Sequence, residues 1–173
     1  MGDTLITVIA IFLAAVLMFV FPLMSISDRN DDISQLSIQT ETVEFVNNVR
    51  TTGKLTPSNY DAFVKKLSAT GNSYDVEIEI KRLDENPGKK SAQTATDKIG
   101  ENIYYSEYTS QIMEKLEKGT VNLKEGDRIT VNVKNTNTTI AQTLKNFFYS
   151  MSGNSTYQIE GQHTGVVMAN GGK

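Results

Sequence analysis

Residues Leu5–Met24 read LITVIAIFLAAVLMFVFPLM, and only Thr7 and Pro22 interrupt their apolar character. Twenty residues at the α-helical rise span ~30 Å, which is the thickness of the hydrocarbon core of a bilayer. A helix that is apolar on every face is not expected on the surface of a soluble domain. The stretch therefore predicts a transmembrane anchor within residues 1–27, which displays the rest of the 173-residue chain.

Large side chains on every face of this predicted helix are the candidate membrane and assembly residues. They are Leu5, Ile6, Ile9, Phe12, Val16, Phe19 and Pro22. Ala10, Ala14 and Ala15 leave room for a close approach of neighbouring helices, as small residues do between helices in lipid. The run thus predicts two partners, the membrane and other copies or related helices.

The N-terminus is compatible with a retained anchor or with a cleaved signal. Met1-Gly2-Asp3 carries no base and the apolar run exceeds a typical signal core, which favours the retained anchor. The small-x-small triplet Ser25-Ile26-Ser27 keeps cleavage before Asp28 as the alternative. Neither flank is rich in Lys or Arg, so charge does not orient the helix. We expect the large polar domain to lie outside the cell.

Residues 28–53 continue the helix as an amphipathic segment. Apolar positions recur at helical spacing at Ile38, Thr42, Phe45, Val46 and Val49, and Ile33, Leu36 and Val43 are expected to widen this stripe. Gly53 is a natural helix terminator. The pattern predicts either one helix of roughly 50 residues or two collinear helices with a break between Pro22 and Asp32.

Residues 54–173 predict a small α+β head. We expect a helix capped by Thr56, a strand over residues 74–80, a flexible polar loop over 85–101 and a helix from about Tyr105 to Gly119. A hairpin over 121–133, a helix capped by Thr138 or Thr139, and a final strand or strand pair follow. The fourth helix has the apolar face Ile140, Leu144, Phe147, Phe148 and Met151, and the final strands bend around Gly161 and Gly165. Strands with one polar face predict an antiparallel sheet with packing helices.

Composition removes several classes of function. The net charge is −3 without a Lys or Arg cluster, so nucleic acid is not expected as a partner. No cysteine is present, and the single His163 cannot form a two-histidine metal site. No catalytic motif such as G-x-S-x-G is found. We therefore predict a non-enzymatic protein without a cofactor.

The acidic stretch Asp28-x-Asn30-x-Asp32 resembles the start of a calcium-binding loop. The expected glycine is replaced by Ile33, and the twelfth position is Gln39 rather than glutamate. The stretch is interpreted as a solvated acidic segment at the membrane boundary.

An apolar helix that continues into an amphipathic helix and a small α+β head resembles type IV pilins and pseudopilins. Pro22 matches the proline that many pilins carry in this helix, and Gly2-Asp3 resembles a prepilin processing site with Asp3 as the new N-terminus. Thr7 departs from the pattern, because most pilins carry glutamate at the fifth mature position. The resemblance implies a fold in which apolar helices bundle in a filament core and heads coat its surface.

The head carries a second resemblance. VEFVNNVRTTGKLTPSNYDAFVKKLSATGNSYDVEIEIK (43–81), LKEGDRITVNVKN (123–135) and VVMANGG (166–172) look like anchored proteins of Gram-positive bacteria that accompany tight-adherence (Tad-type) pilus or secretion systems. This resemblance implies a structural subunit of a pilus or secretion apparatus at the cell surface. The alternative is a membrane-tethered extracellular binding module that does not polymerise and recognises a partner or wall polymer through its sheet or the 85–101 loop.

Overall fold

The computed structural model describes residues 2–84, 104–149 and 158–172, with only the backbone of 147–149. The fold is α+β, with one long N-terminal helix, two antiparallel sheets and three shorter helices among these residues, so the predicted fold class is confirmed at this level. The predicted loop 85–101 lies outside the described residues, as does Gly153, the glycine at which the sequence predicts that the fourth helix ends. The helices are α1 (Gly2–Thr52), α2 (Pro57–Ser68), α3 (Thr109–Glu117) and α4 (Ile140–Tyr149), and the strands are β1 (Lys54–Leu55), β2 (Tyr74–Leu83), β3 (Tyr104–Tyr108), β4 (Val121–Asn122), β5 (Arg128–Asn135) and β6 (Glu160–Val166).

The first helix is a single continuous element of 51 residues. It passes through Pro22 without a break, so the one-helix prediction is confirmed and the two-helix alternative is wrong. No proline or glycine follows Pro22 until Gly53. Gly53 ends the helix with a positive φ of 66°, and its N–H donates to the Val49 carbonyl at 2.8 Å.

The main sheet has the strand order β3-β2-β5-β6, with every neighbouring pair antiparallel. Alternate residues of the central strands face inward and are buried, as Ile78, Ile80 and Val131 illustrate. These inward side chains form one core with α1, α2 and α3. The other face of the sheet, here called the outer face, carries the polar residues.

The predicted hairpin over 121–133 is wrong. Val121 and Asn122 pair with Leu55 and Lys54 in a separate two-stranded sheet, whereas β5 lies between β2 and β6. The turn before β5 does form, with Asp127 N–H donating to the Lys124 carbonyl at 3.1 Å. The strand before this turn, β4, therefore pairs with β1 next to the end of α1 and does not pair with β5.

The start of the third helix is corrected as well. Tyr105 and Tyr108 belong to β3, and the helix begins only at Thr109. Ile112 and Leu116 are buried as predicted, because they follow the helical period within α3. Tyrosines at 104, 105 and 108 are also compatible with a strand because aromatic residues favour strands, and pairing with β2 over Glu79–Leu83 selects the strand.

Two further burial predictions fail. Ile140 is exposed at the start of α4, and Ala141 and Gln142 are buried instead. Phe147, Phe148 and Met151 lie outside the residues whose side chains are described.

Ile33 and Leu36 do not widen the buried stripe of α1, because both are exposed on another side of the helix. The five stripe residues predicted from Ile38 to Val49 are all buried.

Candidate functional site

The N-terminal half of α1 stands free of the head. The predicted membrane and assembly residues are all exposed there: Leu5, Ile6, Ile9, Phe12, Val16, Phe19 and Pro22. The helix contains an 18-residue window with a mean hydropathy of 2.9, none of which is buried within the chain. By length and composition α1 is able to cross a membrane, and its apolar surface has no cover from the described residues of the head.

The two residues of the predicted processing site lie at the first turn of this helix. Gly2 begins α1, and Asp3 is exposed next to it. The hydroxyl of Thr7 donates to the Asp3 carbonyl at 2.7 Å, one turn back. Thr7 therefore satisfies its own polar group within the helix, which is the arrangement that a hydroxyl needs inside a bilayer.

The C-terminal half of α1 packs along β6, the last strand of the sheet. Gly161 and Gly165 both face the helix, and neither has room for a side chain. A Cβ at Gly161 would stand 2.6 Å from Cγ2 of Ile38, and one at Gly165 would stand 2.9 Å from Cγ1 of Val46. The prediction of a final strand is confirmed and the alternative of a strand pair is wrong, because both glycines lie within one uninterrupted strand. Their function is to let the helix approach the sheet closely.

A signal for this contact was present in the sequence. Gly161 and Gly165 are four residues apart, which places them on the same face of a strand. His163 lies between them on that face and is partly buried. Gln35 holds the end of the contact that lies nearest the apolar run, since its side chain accepts from the Glu160 N–H at 2.9 Å and donates to the Glu160 carbonyl.

Polar side chains fix the head to α1 just above the apolar run. The Thr139 hydroxyl donates to Oδ2 of Asp31 at 2.7 Å, and Lys145 Nζ lies 2.7 Å from Oδ1 of Asp28. Thr139 also caps α4, because its hydroxyl accepts from the Gln142 N–H at 3.2 Å. The solvated acidic segment predicted here is wrong for Asp31, which is only 6% exposed.

These contacts also bear on whether Asp28-x-Asn30-x-Asp32 forms a calcium-binding loop. The stretch is helical and two of its neighbouring carboxylates serve the head, Asp28 with Lys145 and Asp31 with Thr139. Within the described residues, no group of three or more His, Asp or Glu side chains is placed to hold a metal ion. Asp28 and Asp31 are therefore docking residues of the helix, whereas Asp32 is exposed.

The distal end of α1 is held by the C-terminal segment. Met168 N–H donates to the Arg50 carbonyl at 2.8 Å, and Leu123 N–H donates to the Gly53 carbonyl at 2.8 Å. Gly171 lies against Gly53 so tightly that a Cβ on either residue would meet backbone atoms at 2.2 Å or less. The start of the head at Gly53 and its last described segment, which contains Met168 and Gly171, therefore pack against each other at the end of α1 farthest from the apolar run.

A charged cluster ties β2 to β3 at the same distal end. Oε1 of Glu107 accepts from Arg82 Nε at 3.0 Å and from Lys115 Nζ at 2.6 Å. Burial acts to raise the pKa of Glu107, but the hydrogen bonds from Lys115 and Arg82 outweigh it and hold this pKa below its ordinary value. Asp127 completes the cluster by accepting the Leu83 and Lys124 N–H groups with its two carboxylate oxygens.

The outer face of the sheet carries an open groove of about 670 Å³. Asn132 donates to Oε2 of Glu77 at 3.2 Å, and the Ser106 hydroxyl donates to Oε1 of Glu79 at 2.8 Å on the same face. Tyr108 borders the groove and is 60% exposed. The predicted polar side of β2 is confirmed here, and the groove combines carboxylate, amide and hydroxyl groups with an aromatic edge.

No protein-family model, no curated protein and no solved structure matches the chain.

Proposed function

We propose that this chain is a non-enzymatic structural subunit, pilin-like or pseudopilin-like, of a pilus or secretion apparatus in the cell envelope. The N-terminal half of α1 anchors it in the membrane in a single pass, and the head lies outside the cell. The observation that carries the proposal is the division of one continuous 51-residue helix into an exposed apolar half and a half docked on the head.

The continuity of the helix supports a structural role. The helix runs from Met24 to its end at Thr52 over about 42 Å, with the head fixed along it by β6 and by the Asp31–Thr139 hydrogen bond. A flexible tether would leave the head free to rotate. A docked helix instead sets the position of the head relative to the membrane.

Assembly through the apolar half has a favourable physical basis. When identical apolar helices replace lipid chains around one another, little hydrophobic free energy is lost, and packing of small residues is gained. Ala10, Ala14 and Ala15 supply such small surfaces. Pro22 is exposed within the helix and breaks no contact with the head.

Mass spectrometry of the mature N-terminus tests this proposal directly. A chain that starts at Asp3 supports prepilin-type processing, and an intact Met1 supports only a simple anchor. A chain that starts at Asp28 contradicts the anchor and indicates secretion. Protease treatment of intact cells then tests topology, because an extracellular head is digested while residues 5–24 are protected.

Electron microscopy with an antibody against the head separates a filament subunit from a solitary anchor. Labelled surface filaments whose core contains residues 5–24 support the pilin-like function. Label confined to the membrane, with no filament and no higher assembly after mild solubilisation, contradicts it.

The outer-face groove favours one alternative, a membrane-tethered extracellular binding module. Its lining combines the hydrogen-bonding groups of Glu77, Glu79 and Asn132 with the aromatic edge of Tyr108, and a sugar polymer offers hydroxyl groups and apolar ring faces that match both. Cosedimentation of the purified head with cell-wall polysaccharide tests this function. Binding that is lost in Asn132→Ala and retained in Lys118→Ala, an exposed residue outside the groove, supports it.

A further inference from the structure

The fourth helix runs along α1 toward the apolar run. Thr139, the residue that caps α4, contacts Asp31, whereas Lys145, which follows it in the helix, contacts Asp28. Residue numbers therefore rise along α4 in the direction in which they fall along α1, so the two helices run in opposite directions. The C-terminal end of α4 consequently points to the apolar half of α1.

The end of α4 reaches the level at which the apolar run of α1 ends. On α1, Asp28 lies about 6 Å beyond Met24 on the side of the head, at the helical rise per residue. On α4, the helical backbone continues from Lys145 to Tyr149, which covers about the same 6 Å in the opposite direction. Met24 and the end of α4 therefore lie at a similar depth along the axis of α1.

The burial of α1 marks the same side of the helix independently. Most residues of the apolar run are exposed, and those that are partly buried are Leu17, Val20 and Met24. At 100° per residue these three share an arc of about 80° with Asp28 and Asp31, which contact α4. Their neighbour Phe19 is 75% exposed. The side of α1 that faces α4 is therefore partly shielded beyond the level at which the apolar run begins.

The sequence of α4 gives this helix an apolar face that is turned away from α1. Ile140, Leu144 and Phe147 recur at spacings of four and three residues, which places these positions on one face. This face lies about 130° around the helix from Lys145, the residue that contacts α1. Ile140 is 62% exposed, so the head leaves the face uncovered at the start of the helix.

The last residues of α4 are of the type that favours the boundary between lipid and water. Phe147, Phe148 and Tyr149 are three consecutive aromatic residues, and aromatic side chains concentrate at this boundary in membrane proteins. The one charge on the helix belongs to Lys145, and its Nζ lies 2.7 Å from Oδ1 of Asp28. Contact with lipid therefore buries no unpaired charge of α4.

We propose that the C-terminal end of α4 enters the membrane interface beside α1 and gives the head a second contact with lipid. The proposal rests on the membrane anchoring proposed above, because a bilayer around residues 5–24 ends at the depth that α4 reaches. It requires neither a filament nor a second copy of the chain. A single helix in a bilayer is free to rotate about its own axis, whereas a second contact fixes which side of the head faces the membrane.

Single-tryptophan fluorescence of the full-length chain in phosphatidylcholine vesicles tests the second contact. The chain has no tryptophan of its own, so Phe147→Trp and Tyr149→Trp each introduce the sole indole. Phe19→Trp is the positive control in the apolar run, and Tyr105→Trp, 51% exposed on β3, is the control on the head. We expect lipid brominated in its acyl chains near the headgroup to quench both α4 variants and Phe19→Trp. Tyr105→Trp is expected to be quenched by acrylamide in the water and to be insensitive to the brominated lipid.

The controls separate failure of the second contact from failure of the anchor. Quenching of Phe19→Trp by brominated lipid, with no quenching of Phe147→Trp and Tyr149→Trp, contradicts the contact of α4 and leaves the anchor in place. Blue-shifted emission of the α4 variants without quenching by lipid shows that the end of α4 is buried within protein, which also overturns the proposal. If Phe19→Trp escapes quenching as well, the anchor and the second contact are contradicted together.

Discussion

Gly161 lies directly beneath Ile38, where a Cβ on the glycine would stand 2.6 Å from Cγ2 of that side chain. Ile38 is fully buried, so it has no free space into which to move. The pair sets the distance between the first helix and the last strand. The same relationship recurs about two helical turns farther along α1, where Gly165 meets Val46 and Arg50.

Gly161→Ala is expected to destabilise the head by about 1–3 kcal/mol, the usual cost of inserting a methyl group into a packed interior. Urea unfolding of the detergent-solubilised chain measures the change. Gly172→Ala is the matched control, since a Cβ at that position meets nothing within 4 Å. Equal stability of the two variants would show that α1 does not depend on close approach to β6.

Asp31→Ala is expected to lower the free energy of unfolding by about 1–3 kcal/mol, because the buried Thr139 hydroxyl loses its charged acceptor. Asp32→Ala, an exposed neighbour on the same helix, serves as the control. A double-mutant cycle with Thr139→Val isolates the pair from the loss of the α4 cap. A coupling energy near zero would rule out a role for this hydrogen bond in docking.

Stability of the head is expected to fall in acid in a manner that depends on Glu107. The folded-state pKa of Glu107 lies below its ordinary value of 4.5, so the unfolded chain binds the proton more readily. The stabilisation of the folded state by the Glu107 carboxylate is fully present above about pH 4.5, and it is lost as the pH falls through the folded-state pKa of Glu107. Urea unfolding across this window should show a shallower acid loss in Glu107→Gln than in Glu114→Gln, whose carboxylate is exposed. Identical slopes would contradict the assignment.

Thr7→Arg is expected to preserve insertion into the membrane and to abolish assembly. Thr7 lies near the end of the apolar run, where a long cationic side chain reaches the lipid headgroups at little cost. In a core of packed helices the same charge is buried. Carbonate extraction measures insertion, and electron microscopy measures filaments, with Thr7→Val as the control of similar volume. Normal filaments in Thr7→Arg would contradict the packed core.

The sequence predicted the long helix and its buried face well, because a period of 3.6 over residues 38–49 leaves few alternatives. It failed at Ile33 and Leu36, since periodicity does not tell on which side of a helix the head lies. It failed at β3 because the tyrosines at 105 and 108 have helical spacing, whereas the pairing with β2 that makes them a strand is a tertiary property. It failed at β4 because the pairing with β1 depends on where the chain returns after α3, which is a tertiary property.

The residues of the candidate site were likewise predicted only in part. The exposed apolar half of α1 follows from composition alone, since a run such as 5–24 is decided by length and hydropathy. The docking residues Asp31 and Gly161 do not follow from composition. Asp31 is polar, and Gly161 has no side chain that could contribute to a hydrophobic pattern. Their importance comes from what lies opposite them in space, Thr139 and Ile38 respectively.

The contact between α1 and β6 joins the first helix to be synthesised with the last described strand. While the ribosome is still extending the chain, α1 is available for membrane insertion, yet the face from Ile38 to Val49 has no strand to cover it until residues 160–171 emerge. Contacts this distant in sequence form late. The head is therefore expected to complete its folding only after residues 160–171 have emerged from the ribosome, long after α1 has become available for membrane insertion.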